Sequence, residues 1–403
     1  MESVSEGIPA VTSSGSARLM PLRGPDHEAV LRRALEMRRA GNVPLIGDER
    51  WSDARWTTML RSLDRRAIHP EAEWAVFTSG STGHPRVILR TQRSWDVAYP
   101  GLNRIAGITN HDRMLIAAHP VSSMATFAAS HSEHTGFDFT VPQRARVSAE
   151  DLRDVTVLHG TPWHVRDVLD LLDAGCSTPL RKALVGGDRV EPGLRRRAER
   201  HGITVHSYIG ASELSLIAVD SGDGAEIFDG VEVDIRDSVL WVRTEQLALG
   251  CLGGSGSLRR DGEWASVGDR ASLHHDRLTL HGRDDDAILT AGATVIPSDV
   301  ESVLQTLPGV RASVVVGIPH ARVGQIVAAA VESSLAEPNL REITARAYRE
   351  LSVAERPRRW KMVKELPRTS VGKVRRITAE EFEALPEVRP MDGGSGSVEG
   401  GRT

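Results

Sequence analysis

The segment from residue 155 to 205 constrains the fold more than any other part of this chain. Val155-Thr156-Val157-Leu158 is apolar and strand-like. His164 to Ala174 places Val165, Val168, Leu169, Leu171 and Leu172 at helical spacing. Leu184-Val185 is a second strand, ended by Gly186-Gly187. Pro192 to Arg200 is a basic helix closed by Gly202, and Ile203-Thr204-Val205 is a third strand. Strand, helix, strand, helix, strand with short links implies parallel strands joined by right-handed crossovers. Ligands of such sheets sit beyond the carboxyl ends of the strands. That singles out Gly160-Thr161-Pro162-Trp163, Gly186-Gly187-Asp188 and Gly210-Ala211-Ser212-Glu213.

Upstream, Asp26 to Arg39 reads as a helix with Asp26 as N-cap, and Ala54 to Leu63 as another. Met114 to Ala118 is a strand candidate that runs into His119-Pro120-Val121-Ser122-Ser123. From 227 the pattern changes to short alternating runs, Val231 to Ile235, Val239 to Val242 and Leu278 to His281, which read as antiparallel hairpins. After Gly282-Arg283-Asp284-Asp285-Asp286 comes a helix from Ser298 to Leu307, with Ser298 and Glu301 as a capping box. Strands at 311–319 and 325–332, a helix at 339–354, a strand at 360–366 and a helix at 376–385 follow. The expected fold is α/β: a large N-terminal domain (17–282) with parallel-rich sheets and a small β subdomain. A small α+β C-terminal domain (283–386) follows on a hinge. Residues 1–16 and 387–403 read as disordered tails.

Bulk properties exclude several classes. The net charge of -4 gives no basic field to recruit nucleic acid. Cys176 and Cys251 are the only cysteines, which rules out a disulfide framework and fits a reducing cytoplasm. No apolar run approaches the roughly 20 residues of a membrane span, and the stretch Met1 to Glu6 is no signal peptide. His119, His131 and His134 are close in sequence but lack the spacing of a metal site.

Trp74-Ala75-Val76-Phe77 is a strand that feeds Thr78-Ser79-Gly80-Ser81-Thr82-Gly83-His84-Pro85-Arg86. Small residues let backbone N–H groups approach an anion, hydroxyls add donors, and Arg86 adds a planar cation. The loop is not a Walker A motif, because Pro85 and Arg86 stand where Gly-Lys would be needed. Taken alone, such a loop is more often a flexible turn than a site.

Five stretches in order, spanning 77 to 376, carry a resemblance. The loop at 78–86 resembles the Thr/Ser/Gly-rich loop of the AMP-forming adenylating enzymes, which include acyl-CoA synthetases, peptide-synthetase adenylation domains and luciferases. Gly210-Ala211-Ser212-Glu213 looks like their Tyr-Gly-x-Thr-Glu element, and Trp264 with Gly268-Asp269 looks like their Trp…Thr-Gly-Asp. Gly282 to Ile288, with Gly292 and Pro297 to Glu301, resembles their hinge; Pro367 to Arg376 is similar to their catalytic-lysine loop. The compact length resembles the short acid–CoA ligases, such as the o-succinylbenzoate–CoA ligases.

The resemblance implies activation of a carboxylic acid by ATP and Mg²⁺ to an acyl-adenylate, then transfer to CoA. The alternative acceptor is a carrier-protein thiol, an amine or another nitrogen nucleophile. It implies that Thr78, Ser79, Gly80, Ser81, Thr82, Gly83 and Arg86 hold the β and γ phosphates. Ser212 would bond the α-phosphate and Glu213 would hold the metal. Gly187, Asp188, Ile209 and Gly210 would frame adenine, Asp269 and Arg283 would take the ribose hydroxyls, and Lys373 would be the catalytic cation. Asp285 falls at the hinge. The acid pocket is expected near His119, Ser123, His159, Trp163 and His206. Partners are a small carboxylic acid and CoA or a carrier protein, without nucleic acid or membrane, and a homodimer is a candidate assembly. Departures are plain: Arg86 replaces a lysine, Val87 a glycine and Asp299 a glutamate, Leu289 stands where many members carry lysine, and Ile209 takes the aromatic slot beside Tyr208.

Overall fold

The computed structural model describes residues 18–63, 66–77, 86–144, 146–252, 258–283, 288–290, 293–320, 322–333, 339–369 and 372–387. The chain divides into two compact units. One holds the residues up to Asp284 together with Arg368–Lys373; the other holds Asp285–Pro367 and the residues from Val374 on.

In the first unit five strands run parallel, in the order Asp138–Thr140, Arg113–Ile116, Val157–Gly160, Lys182–Val185, Thr204–Ala211. Valines, leucines and isoleucines fill the central strands because helices cover the sheet. Leu158, Val165, Val168, Leu169, Leu180, Leu194 and Val205 form one such buried layer with the helices Pro162–Asp173 and Pro192–Arg200. The first of these helices begins two residues earlier than its apolar spacing suggests. Pro162 opens it with a preset φ, and Thr161 caps it, its N–H donating to His164 Nδ1 at 3.0 Å.

The strand expected at 203–205 continues to Ala211, then folds back antiparallel into Ser215–Asp220. Ser212 and Glu213 therefore occupy a hairpin turn. The antiparallel hairpins beyond it extend the same sheet through Ala225–Ile227, Arg277–Arg283, Asp269–His274 and Val239–Thr244.

A second sheet is built from Leu19–Leu22, Val43–Ile46 and Trp74–Phe77 in parallel, then Val87–Arg90 and Gly250–Cys251 in antiparallel. Phe77 lies opposite Val87, so residues 78–86 join the adjacent ends of a strand pair. Phe77 also bridges Ser122, which follows the parallel strand Arg113–Ile116. Asp26 caps the helix His27–Arg39 as expected, accepting from Ala29 N at 3.0 Å.

The second unit is α+β. Val310–His320 and Gly324–Ser333 form a long hairpin, with Arg359–Val363 alongside in parallel. The capping box expected at Ser298 and Glu301 is not formed. The helix runs Pro297–Thr306 with Ile296 as N-cap, because Pro297 takes the first helical position. Glu301 instead accepts from Val315 N at 2.7 Å and pairs with Arg376. That pairing lies outside the last helix, Ala379–Ala384, which starts later than residue 376 because Thr378 and Glu381 supply its capping box. Among the described residues, no helix is long and apolar enough to cross a membrane.

Gly210 is required by close approach. A Cβ there would lie 2.3 Å from the carbonyl oxygen of Ser215 across the hairpin. Gly210→Ala is expected to destabilise the protein by about 1–3 kcal/mol, read as a lower urea midpoint; an unchanged midpoint would contradict the hairpin geometry.

Candidate active site

Loops at the carboxyl ends of the parallel strands bring the first predicted residues together. Ser122 caps the helix Ser123–Thr135, accepting from Ala125 N at 3.1 Å, which places Ser123 in its first turn. Ser123 Oγ lies 2.7 Å from Ser212 Oγ. Next to Ser212, Glu213 is 6% exposed, and its carbonyl accepts from Ala248 N at 2.8 Å. Cys251 is held beside Ile88 by strand pairing. Its thiol is pushed up by burial, and it feels both the Arg86 cation and the Glu213 carboxylate. Arg86 directly precedes the strand that pairs with Gly250–Cys251, and Glu213 is bonded to Ala248 just before that segment. Hydroxyl and carboxylate oxygens are the donors that Mg²⁺ takes, so this set fits that ion.

Asp269 and Arg283 face each other in register across an antiparallel pair of the same sheet. Gly187 and Asp188 are exposed just past the end of Lys182–Val185, with Gly187 at φ +82°. Tyr208 and Ile209 are successive residues of one strand and point to opposite faces. Thr78, Ser79, Gly80, Ser81, Thr82, Gly83 and Asp285 lie outside the described residues, as does the side chain of Arg283.

The candidate acid-pocket residues part company. His159 and His206 fall in one row across the sheet, two strands apart, with Leu184 between them. His159 Nε2 is 2.9 Å from the Tyr208 hydroxyl, and Phe127 stands edge-on to its ring. His206 pairs instead with Ser221 Oγ, at 2.9 Å from its Nδ1. His119 Nε2 lies 2.9 Å from Glu49, which also faces His27 Nε2 at 3.4 Å. This trio brings a possible metal donor set together, but the hydrogen bonds already account for His119. Its Nδ1 accepts from Val121 N at 3.2 Å, so its Nε2–H donates to Glu49. Trp163 carries Arg146 at 5.9 Å and Arg368 at 5.2 Å from its ring. Gly372, at φ +77°, passes so close to that ring that a Cβ would come within 2.4 Å. Lys373 follows it and is exposed.

Three residues that the sequence reading gave no role belong to this region. Glu49 follows the strand Val43–Ile46 and meets His119 and His27. Tyr208 is set aside by its position one residue ahead of the aromatic slot, yet it is the partner of His159. Arg90, the last residue of the strand Val87–Arg90, is fully buried.

Comparison with known proteins decides the family. The sequence profile of the AMP-binding enzymes matches residues 41–238, and that of the AMP-binding enzyme C-terminal domain matches residues 299–373. Together they account for well over half of the chain. The chain belongs to the AMP-binding enzymes. A probable 2-succinylbenzoate–CoA ligase of Mycobacterium tuberculosis is 29% identical over 77% of this AMP-binding enzyme and 84% of the relative. A putative long chain fatty acid-CoA ligase, VraA, of Staphylococcus epidermidis is 24% identical over 83% of the chain and 81% of the relative. The solved structure of an E. coli MenE variant with bound OSB-AMS superposes with a TM-score of 0.78 at 20% identity. It covers 93% of the chain and 88% of that structure. The fold is therefore that of the adenylate-forming enzymes.

Three histidines of this AMP-binding enzyme, His131, His159 and His164, are buried. Burial pulls His159 down to about 3. It pulls His131 to about 3 as well, with further lowering from His159 and His134, and His164 to about 4, helped by Arg368. These rings stay neutral in the folded state where the unfolded chain, titrating near 6.5, takes up protons. Their contribution is therefore intact above about pH 6.5 and is lost as pH falls toward 4. The urea midpoint is expected to drop between pH 7 and pH 5, and His159→Gln to make that dependence shallower by about one proton. A midpoint that is flat over this range would contradict neutral buried rings.

Proposed function

We propose that this enzyme activates a small carboxylic acid with ATP and passes the acyl group to CoA. In the first step a carboxylate oxygen attacks the α-phosphorus, the bond to the bridging α–β oxygen breaks, and pyrophosphate leaves. In the second a thiolate attacks the acyl carbon and AMP leaves. Charge collects on phosphate oxygens throughout, so catalysis is chiefly positioning and electrostatics.

In this reading the segment Thr78 to Gly83, with Arg86, takes the β and γ phosphates. Ser212 donates to the α-phosphate, with Ser123 2.7 Å away to orient its hydroxyl. Glu213 would hold Mg²⁺, which when bound neutralises phosphate charge. Asp269 accepts from, and Arg283 donates to, the ribose hydroxyls. Gly187, Asp188, Ile209 and Gly210 frame adenine. Lys373 supplies the cation between the α-phosphate and the attacking carboxylate. The change between half-reactions is assigned to a turn at Asp285. His119, Ser123, His159, Trp163 and His206 are assigned to the acid, and the buried neutral His159–Tyr208 pair suits it to hydrogen bonding rather than ion pairing.

The observation that carries the reading is the register of Asp269 with Arg283 on the same sheet as the Ser212–Glu213 turn. Register pairing would suit Asp269 and Arg283 to one set of ribose hydroxyls, and the Ser212–Glu213 turn, assigned to the phosphates, belongs to the same sheet. The CoA ligases among the relatives support CoA as acceptor, and a cytoplasmic location accords with that chemistry.

The test is pyrophosphate release and thioester formation over a panel of aryl, short aliphatic and dicarboxylic acids, with ATP and Mg²⁺, with and without CoA. A CoA thioester is expected. Adenylate and pyrophosphate without thioester would shift the acceptor to a carrier-protein thiol or a nitrogen nucleophile. Lys373→Ala is expected to slow adenylation by about 100-fold or more while sparing transfer from a supplied adenylate; equal loss of both steps would sink its assigned role.

A further inference from the structure

Arg90 is 0% exposed, yet its guanidinium meets backbone carbonyls rather than a carboxylate at hydrogen-bond distance. One arm donates to the Ser212 carbonyl at 2.5 Å, and another to the Gln246 carbonyl. The guanidinium also lies 5.5 Å from the Trp95 ring centre and feels the Glu213 charge. Burial pulls it down to about 9, so it stays cationic at neutral pH.

Its two acceptors belong to segments that are stitched to each other. Ala248 N donates to Glu213 O at 2.8 Å, and the buried Gln246 side chain bonds both Leu216 N and Leu216 O at 3.2 Å. Arg90 closes this frame from the third side. Its strand begins at Val87, directly after Arg86, and pairs with the Gly250–Cys251 end of the 246–251 segment. A buried cation without a carboxylate partner in contact is costly, and an apolar residue of similar volume would avoid that cost. The planar fork reaches the two carbonyls from two separate nitrogens held in fixed geometry, whereas a lysine would have to meet both from one nitrogen on a shorter reach.

We propose that Arg90 is a positioning residue for ATP activation, locking the Ser212–Glu213 turn to the strand that leaves the phosphate loop. It acts through the turn, without touching substrate, and the proposal rests on the adenylation reading above. Losing it frees the turn that presents the Ser212 hydroxyl and the Glu213 carboxylate, so the metal-dependent part of nucleotide binding suffers first.

The test is calorimetric titration of the full-length protein, Arg90→Lys and Arg90→Met with Mg·ATP and with ATP in EDTA. Both variants should bind Mg·ATP about tenfold or more weakly, with a smaller gap between the Mg·ATP and EDTA affinities than in the unaltered protein. A merely structural role would lower the melting temperature and weaken both titrations equally, which would overturn the proposal, as would unchanged affinities. A second measurement needs no variant. Mg·ATP should slow amide exchange at Ala248 together with residues 212–216 of the unaltered protein, and protection of 212–216 alone would also overturn it. If the unaltered protein fails to bind Mg·ATP, the adenylation reading falls and takes this role with it; normal binding with unaffected variants removes the role of Arg90 alone.

Discussion

Five strands pointing the same way decide where everything else in the first unit can go. Parallel pairing demands cover on both faces, which the helices Pro162–Asp173, Pro192–Arg200 and Ser123–Thr135 provide. It also delivers every strand's carboxyl end to one rim. Ser123, Trp163, Gly187 and Ser212 reach that rim after four different strands. No residue travels far from its strand to do so, and each is held by the sheet hydrogen bonds behind it. Several short attachments on one rim suit the phosphates and metal of the proposed reaction better than one long one.

Polar groups inside this frame are arranged without much charge pairing. His159 is neutral and shared with a buried tyrosine, and His164 is turned inward to cap its own helix. Arg90 differs, a full charge held by two backbone carbonyls, with its Nε left without a hydrogen-bond partner. Losing either carbonyl would leave a buried charge still less compensated.

Much of the architecture was legible in the residues. The Val/Leu runs at 155–158 and 184–185, the Asp26 cap and the change to alternation at 231 all announce their elements. What escaped depended on neighbours remote in sequence. Ser212 and Glu213 read as well at a helix start as in a turn until the strand before them is seen to run to Ala211. Ser298 and Glu301 match a capping box, yet Pro297 moves the helix start and Glu301 is used by Val315 and Arg376. His119 and Glu49 meet across a separation of 70 residues, which no local pattern encodes. Nothing near Arg90 in sequence reveals that Ser212 and Gln246, 122 and 156 residues away, close over it.

The register of Asp269 against Arg283 has a consequence for the length of the chain there. Arg283 is the last residue of its strand, and the first unit ends at the next position. The ladder carries a bulge just before that pair: Ala271 lies opposite Leu280 and Arg270 opposite Gly282, so His281 is an extra residue on its strand. Deleting it would close the bulge and leave Asp269 opposite Arg283, whereas an insertion between Gly282 and Arg283 would set another residue opposite Asp269. The bulge is thus where this strand tolerates a change of length without losing the pair.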